Sequence, residues 1–407
     1  MKSDAERLAR HNVFLGTSSW KYQGWLGDLY DPARYEYRGK VAVSRFERNC
    51  LAEYAEVFKT VCVDAAYYAF PSVKYLEGLA AQVPTDFRFA FKVTDEITVR
   101  RFPNLPRFGA KAGAVNDNFL RAEAFEKEFL TPCHSIRNYV GILIFEFSRF
   151  HPSDFAHGRD FVAALDQFLG ALPPGWPYGI EIRNKHWLQP EYFSCLARHN
   201  IAHVFNSWTL MPSITEQMAI IESRTNHDLI AARFLLKPGR KFEEAVKSFQ
   251  PYDRTQEINE EARCAGAELI IEGMRYEGRS KTYIYVNNRL EGNALATLQA
   301  IVALIGIPYE RALNILHITY IVRTTIVDNV FESSKAKPRA NYCLLHGLRS
   351  VTAFAKVLTS VIQYVLCLWT VTICIRSTSI RCSGFECIAN ACVKVSRWMT
   401  RTILHAM

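Results

Sequence analysis

The run YGIEIR (178–183) places Glu181 and Arg183 two positions apart inside an otherwise apolar segment. In an extended chain, side chains with that spacing share one face. Three more charges punctuate apolar runs in the same way: Asp64 in KTVCVDA (59–65), Lys92 closing FRFAFK (87–92), and Glu146 just past NYVGILIF (138–145). Gathered away from water, such groups can exchange protons, because burial and neighbouring charges move their pKa values. Lys92 and Glu181 form the candidate proton-transfer pair, with Lys92 alternatively an electrophile or a Schiff-base amine. Arg183 offers a planar fork for an anionic group. Asp64, Glu146, Asn287 and Asn288 supply polar atoms that would orient hydroxyls. The plainer alternative is a structural ion network, since buried pairs also occur without function.

The elements that must position these groups are short apolar runs alternating with helical stretches. The runs are VFLGT (13–17), KTVCVDA, FRFAFK, NYVGILIF, YGIEIR, IAHVFN (201–206), LIAARFLL (229–236) and KTYIYVN (281–287). Helical segments such as SVKYLEGLAAQV, NFLRAEAFEKEFL and RDFVAALDQFLGAL separate them, and GNALATLQAIVALI closes the series. Near-continuous apolar strands alternating with helices predict a parallel sheet. Eight such units predict an α/β fold, a (β/α)8 barrel of the TIM type, over residues 13–305 after a short extension at 1–12. A doubly wound open sheet is the second choice, but its GxGxxG fingerprint is absent. Parity then orients the charges. Phe87, Phe89 and Phe91 face the helices, so Lys92 faces the axis; Cys62 with Asp64, and Gly179 with Glu181 and Arg183, do the same. Asn206 and Arg233, in the sixth and seventh runs, join as substrate-binding candidates. All would meet at the C-terminal mouth, where barrels of this kind carry their chemistry.

Composition narrows the partners. The net charge is +9, yet residues 333–407 hold ten Lys or Arg and one acid, Glu386. Subtracting these from 49 basic and 40 acidic residues leaves 39 of each in residues 1–332. A neutral body argues against nucleic acid as the main partner. The N-terminal MKSDAERLARHN has no apolar h-region, so a cytoplasmic protein is expected. Cys50, Cys62, Cys133, Cys195 and Cys264 contain no CxxC pair and are read as reduced thiols.

Five segments in register resemble the YecE-like family, domain of unknown function 72: GTSSWKYQGW (16–25), YAEVFKTVCVDAAYYAFPS (54–72), FRFAFKVTDEIT (87–98), IEIRNKHW (180–187) and YIYVNNRLEGNALAT (283–297). The resemblance covers residues about 13–303. It implies a TIM-type barrel related in shape to the sugar isomerase and endonuclease IV barrels, and no established reaction. It points to Gly16, Thr17, Ser18 and Trp20, then Lys92, then Glu181, Arg183 and Trp187, and finally Asn287, Asn288, Glu291 and Gly292. Two positions depart from the pattern. The second segment usually reads Glu-x-Asn and here is Cys62-Val63-Asp64; the fourth strand usually ends in Gln and here carries Glu146.

Other groupings are weaker. Only His134, His186 and His203 lie in or near the relevant stretches, with no HxH or HExxH, so neither a metal site nor a cofactor is expected. Lys237, Gly239, Arg240 and Lys241 after the seventh strand would suit an anion if they were not simply a solvated loop. Trp20, Tyr22, Trp25, Tyr67, Tyr68 and Trp187 would suit a sugar ring or a nucleobase, or pack the rim. The expected activity is therefore acid/base chemistry on a small polar, phosphorylated or sugar-like molecule. The alternative is a nucleic-acid-binding or -processing barrel.

Residues 306–407 break the pattern: acids nearly vanish and six cysteines fall between Cys343 and Cys392. The uncharged VLTSVIQYVLCLWTVTICI (357–375) could serve as a membrane anchor, the only route by which a membrane partner enters. A packed helical appendage is a second reading. An out-of-frame stretch, never selected as a domain, is the favoured one. Deleting 306–407 should leave the barrel folded, soluble and at least as stable. Circular dichroism and melting curves of both chains check this: a truncated chain that aggregates while the full one does not places the tail within the fold.

Overall fold

The apolar runs pair side by side and in parallel, as their two-sided burial demands. The computed structural model describes residues 1–276 and 278–305. Its strands are β1 (Val13–Thr17), β2 (Thr60–Val63), β3 (Arg88–Lys92), β4 (Val140–Phe147), β5 (Tyr178–Ile182), β6 (Ala202–Ser207), β7 (Leu229–Phe234) and β8 (Lys281–Val286). Each lies parallel to the next from β2 to β8, and β8 pairs with β1. The circle closes at β1 and β2 through a single bridge, Ser18–Cys62, where Ser19 N–H donates to the Cys62 carbonyl at 2.9 Å. The result is a nearly closed eight-stranded α/β barrel of the TIM type. A two-stranded ribbon, Glu36–Tyr37 with Lys40–Val41, is inserted before the helix Val43–Ala55.

The alternation of side chains builds two cores. Phe87, Phe89, Phe91, Ile180 and Ile182 face the helices. Phe14, Cys62, Ala90, Ile142, Val204, Ala231, Tyr283 and Tyr285 fill the axis. Large groups in the axis require small ones opposite: a Cβ on Gly141 would lie 3.0 Å from the Tyr283 ring, and one on Gly179 would lie 2.7 Å from Val204. This plug is the apolar floor beneath the C-terminal mouth.

Two local expectations change. β4 runs on to Phe147, so Glu146 lies within the strand and not past its end. The segment NFLRAEAFEKEFL is not one α-helix: a short turn (Ala122–Ala124) passes into a π-helical stretch (Phe125–Leu130) and another turn (Thr131–Cys133). Pro132 has no N–H to give the preceding turn, which favours the wider winding. Among the described residues no helix is long and apolar enough to cross a membrane. The candidate anchor at 357–375 lies outside them.

His203 points outward from β6, between Tyr192, Phe193 and Phe205, with Nδ1 3.1 Å from the Tyr192 hydroxyl. Burial pushes its imidazole down to about 3. The folded protein therefore keeps it neutral while the unfolded chain takes up a proton below about 6.5, so stability falls as pH falls through this window. Replacing His203 by Phe should remove about 1.4 kcal/mol per pH unit from the slope of unfolding free energy between pH 6.5 and 5. Urea melts at several pH values read that slope; equal slopes in both proteins contradict it.

The seam yields a second prediction. A Cβ on Gly16 would lie 2.2 Å from the Thr60 carbonyl oxygen, backbone that cannot step aside. Gly16→Ala should cost about 1–3 kcal/mol and lower the melting temperature in calorimetry. An unchanged melting temperature would mean that β1 and β2 do not meet so closely.

Candidate functional site

Six charges converge at the C-terminal mouth, three of each sign. Asp64 follows β2, Lys92 ends β3, Glu146 sits in β4, Glu181 in β5 with Arg183 just beyond, and Arg233 in β7. Glu146 and Glu181 are direct neighbours across β4 and β5. Glu146 Oε2 meets Lys92 Nζ at 2.6 Å, Arg183 Nη2 at 2.9 Å and Arg233 Nη1 at 3.4 Å. Glu181 Oε2 takes Arg233 Nη1 at 2.6 Å, and its Oε1 faces Arg183 Nη2 at 3.2 Å. Arg233 Nη2 reaches Asp64 Oδ1 at 3.3 Å. Lys92, Glu146, Glu181 and Arg233 are buried, whereas the Asp64 side chain keeps 29% of its surface exposed.

The electrostatics follow from that geometry. Burial alone would raise the Glu146 carboxyl, but Arg183, Lys92 and Arg233 together hold it well below the usual carboxylate range. Burial alone would lower Lys92, but Glu146 and then Asp64 outweigh it and raise the ammonium above its ordinary value. Arg233 is raised for the same reason, chiefly by Glu181. Lys92 is thus a cation and Glu146 an anion across the neutral range. Aromatic rings cover two of the cations: Lys92 Nζ lies 3.8 Å from the Tyr67 ring centroid and the Arg183 guanidinium 3.8 Å from that of Trp208. Cys62, one layer down in the axis, is fully buried, and burial pushes its thiol up to about 12.

At or just past the C-terminal ends of the strands are buried polar atoms without a partner: Ser18 Oγ, Trp20 Nε1, Asn206 Oδ1, Asn287 Nδ2 and Asn288 Nδ2. They come from the ends of β1, β6 and β8. Asn206 pairs with Arg233 across β6 and β7, and its Nδ2 donates to the Ile182 carbonyl at 3.2 Å, which aims Oδ1 elsewhere. Tyr22 donates to the Ser18 carbonyl at 3.2 Å. Beside the network, Arg183 and Trp187 help line a cleft of about 410 Å3 that also carries Arg149, Lys185 and His186.

Not every sequence candidate gathers there. Glu291 is fully buried and spent on Arg263 (2.9 Å), Thr297 Oγ1 (2.8 Å) and Asn259 N–H, so it fixes the turn after β8. Lys237 and Arg240 both pair with Glu257, which occupies two of the cations of the candidate anion loop. Trp25 is packed against Tyr22 and Tyr30. Trp187 stacks on Phe150 and Phe161, as a wall of the cleft. Trp208, directly after β6, covers Arg183 although no motif in the sequence marks it. A larger cavity, about 890 Å3, opens at the opposite end of the strands among Arg88, Arg137, Asn200 and Lys281. The apolar plug separates it from the six charges, so size alone does not make it the reactive end.

A family model described as "Protein of unknown function DUF72" matches residues 14–317, somewhat beyond residue 303 where the sequence motifs end. No protein with a curated description matches the chain. Among solved structures, a DUF72 family protein (EF0366) from Enterococcus faecalis V583 is 18% identical, covering 72% of this chain and 98% of its own, with a TM-score of 0.49. A DUF72 family protein (TM1631) from Thermotoga maritima MSB8 is 20% identical, covering 71% and 96%, with a TM-score of 0.46. With the family model spanning most of its length, this chain belongs to the DUF72 family.

Proposed function

We propose that the C-terminal mouth binds a small polar, sugar-like or phosphorylated molecule and acts on it by acid/base chemistry. The observation that carries this reading is the meeting of six charges with a set of unpartnered buried polar groups at one mouth. Unpartnered buried polar atoms also occur at the other end of β8, at Ser280 and Thr282, so it is their coincidence with the six charges that counts here. Lys92 enters as an ammonium, able to give a proton or to stabilise a developing oxyanion, and not as a free amine. Glu181, oriented by Arg183 and Arg233, is its carboxylate counterpart. Asp64, the most exposed of the three acids, meets the substrate first. Ser18, Asn206, Asn287 and Asn288 match the donor and acceptor pattern of hydroxyls. A phosphate would sit towards Arg149, Arg183 and Lys185 in the adjoining cleft. Equal numbers of cations and carboxylates favour such a ligand over a nucleic-acid backbone, which calls for a basic face.

A thermal-shift screen against sugars and sugar phosphates tests this. At least one compound should raise the melting temperature of the wild type and fail to do so with Lys92→Ala and Glu181→Gln. If no compound separates the wild type from both variants, the reading falls; retention on DNA or RNA that weakens steeply with salt would turn it towards nucleic acid.

The two sites should also differ in stability. Glu181→Ala strips the closest partner from a buried guanidinium and should cost about 3–5 kcal/mol. Lys92→Ala should cost less, because Glu146 keeps Arg183 and Arg233. Denaturant melts read the order; the reverse order contradicts the geometry.

A further inference from the structure

On the outside of the barrel three side chains of metal-ligating type converge. Asp166 belongs to the helix Gly158–Gly170, Cys195 to the helix Pro190–Arg198, and His199 caps the latter. Cys195 and His199 stand four residues apart and so share one helix face. Asp166 Oδ1 lies 2.8 Å from His199 Nε2 and 3.6 Å from Cys195 Sγ, and the three ligand atoms all fall within 4.8 Å of one another. In a tetrahedral zinc site, bond lengths of about 2.0–2.3 Å place ligand atoms about 3.3–3.6 Å apart. The Cys–Asp separation already matches, and the His–Asp pair needs to open by only about half an ångström.

We propose that Asp166, Cys195 and His199 form a binding site for a divalent transition metal of the zinc type, tying the two helices together. The donor set of thiolate, imidazole and carboxylate suits zinc or cobalt and not magnesium or calcium. Three protein ligands leave a fourth position for water. The C-terminal end of the helix Pro190–Arg198 adds a field that favours a cation. Binding sends the thiol proton into solvent and forms a thiolate–metal bond. Two features oppose it: burial and then Asp166 push the Cys195 thiol up to about 12, which the metal must overcome, and Arg198 Nη1 holds the same Asp166 oxygen at 2.8 Å, although that side chain is largely exposed and free to swing out.

Cobalt titration of the full chain tests the site. The cysteines between Cys343 and Cys392 can also take cobalt, so the readout is the difference between the wild type and single variants. Cys195→Ser should lose one equivalent of bound cobalt together with its share of thiolate charge-transfer absorption, and His199→Ala should weaken the same equivalent. Arg198→Met should tighten it by about tenfold, the scale on which outer-shell partners act. A folded Cys195→Ser with the spectrum and stoichiometry of the wild type would reduce the trio to a hydrogen-bonded cluster. Should that variant fail to fold, His199→Ala decides, and an unchanged titration there overturns the proposal.

Discussion

The mouth of this barrel is organised around one buried guanidinium. Arg233 reaches Glu181, Glu146 and Asp64, which come from three different strands, and it lies in an axis whose lower half is apolar. Removing such a cation from water is costly unless its partners are close and correctly oriented. That requirement fixes the relative heights of β2, β4, β5 and β7, because a register slip of one residue would turn each carboxylate to the helix side. Lys92 and Arg183 share Glu146 Oε2 with Arg233, and Arg183 also reaches Glu181 Oε1. The field at the mouth is thus determined by backbone register more than by any loop.

The plug below makes that field effective. Tyr283 and Tyr285 stack in the axis, opposite glycines and alanines that leave room for them. Water is kept from the underside of the network, and charge interactions there stay stronger than at a surface. The same close fit explains the seam, where β1 and β2 touch through one bridge and glycine alone fits at position 16.

Much of this is legible in the sequence because a strand has a period of two. Phe87, Phe89 and Phe91 declare the helix-facing side, and Lys92 follows from them; Ile180 and Ile182 do the same for Glu181 and Arg183. Eight such runs predict the barrel. What resists reading is pairing across long separations. Arg233 and Asp64 are 169 residues apart, and nothing local in LIAARFLL announces that its arginine is the hub. Glu291 sits in a motif-like turn and is nonetheless taken by Arg263 and Thr297, partners visible only once the helix Glu260–Arg275 is in place. Lys237 and Arg240 read as an open basic loop until Glu257 folds back onto them. The strand end that misplaced Glu146 is a matter of two residues, the ordinary scale of boundary uncertainty.

The departures from the family pattern gain a physical sense in this setting. A carboxylate at position 62 would lie one layer deeper, in the axial layer of Ala90, Ile142 and Tyr285 where Cys62 is now fully buried, yet still within the field of Arg233. In this chain the acids stand higher, at Asp64, and across the barrel, at Glu146. Both touch Arg233, and Glu146 also takes Lys92. With Gln in place of Glu146, Lys92 would lose its closest counter-charge while keeping the cost of burial, and its ammonium would be easier to deprotonate. The substitution therefore affects more than packing. With Glu146 in place the lysine is held as an ammonium, the form that can donate a proton or stabilise a developing oxyanion.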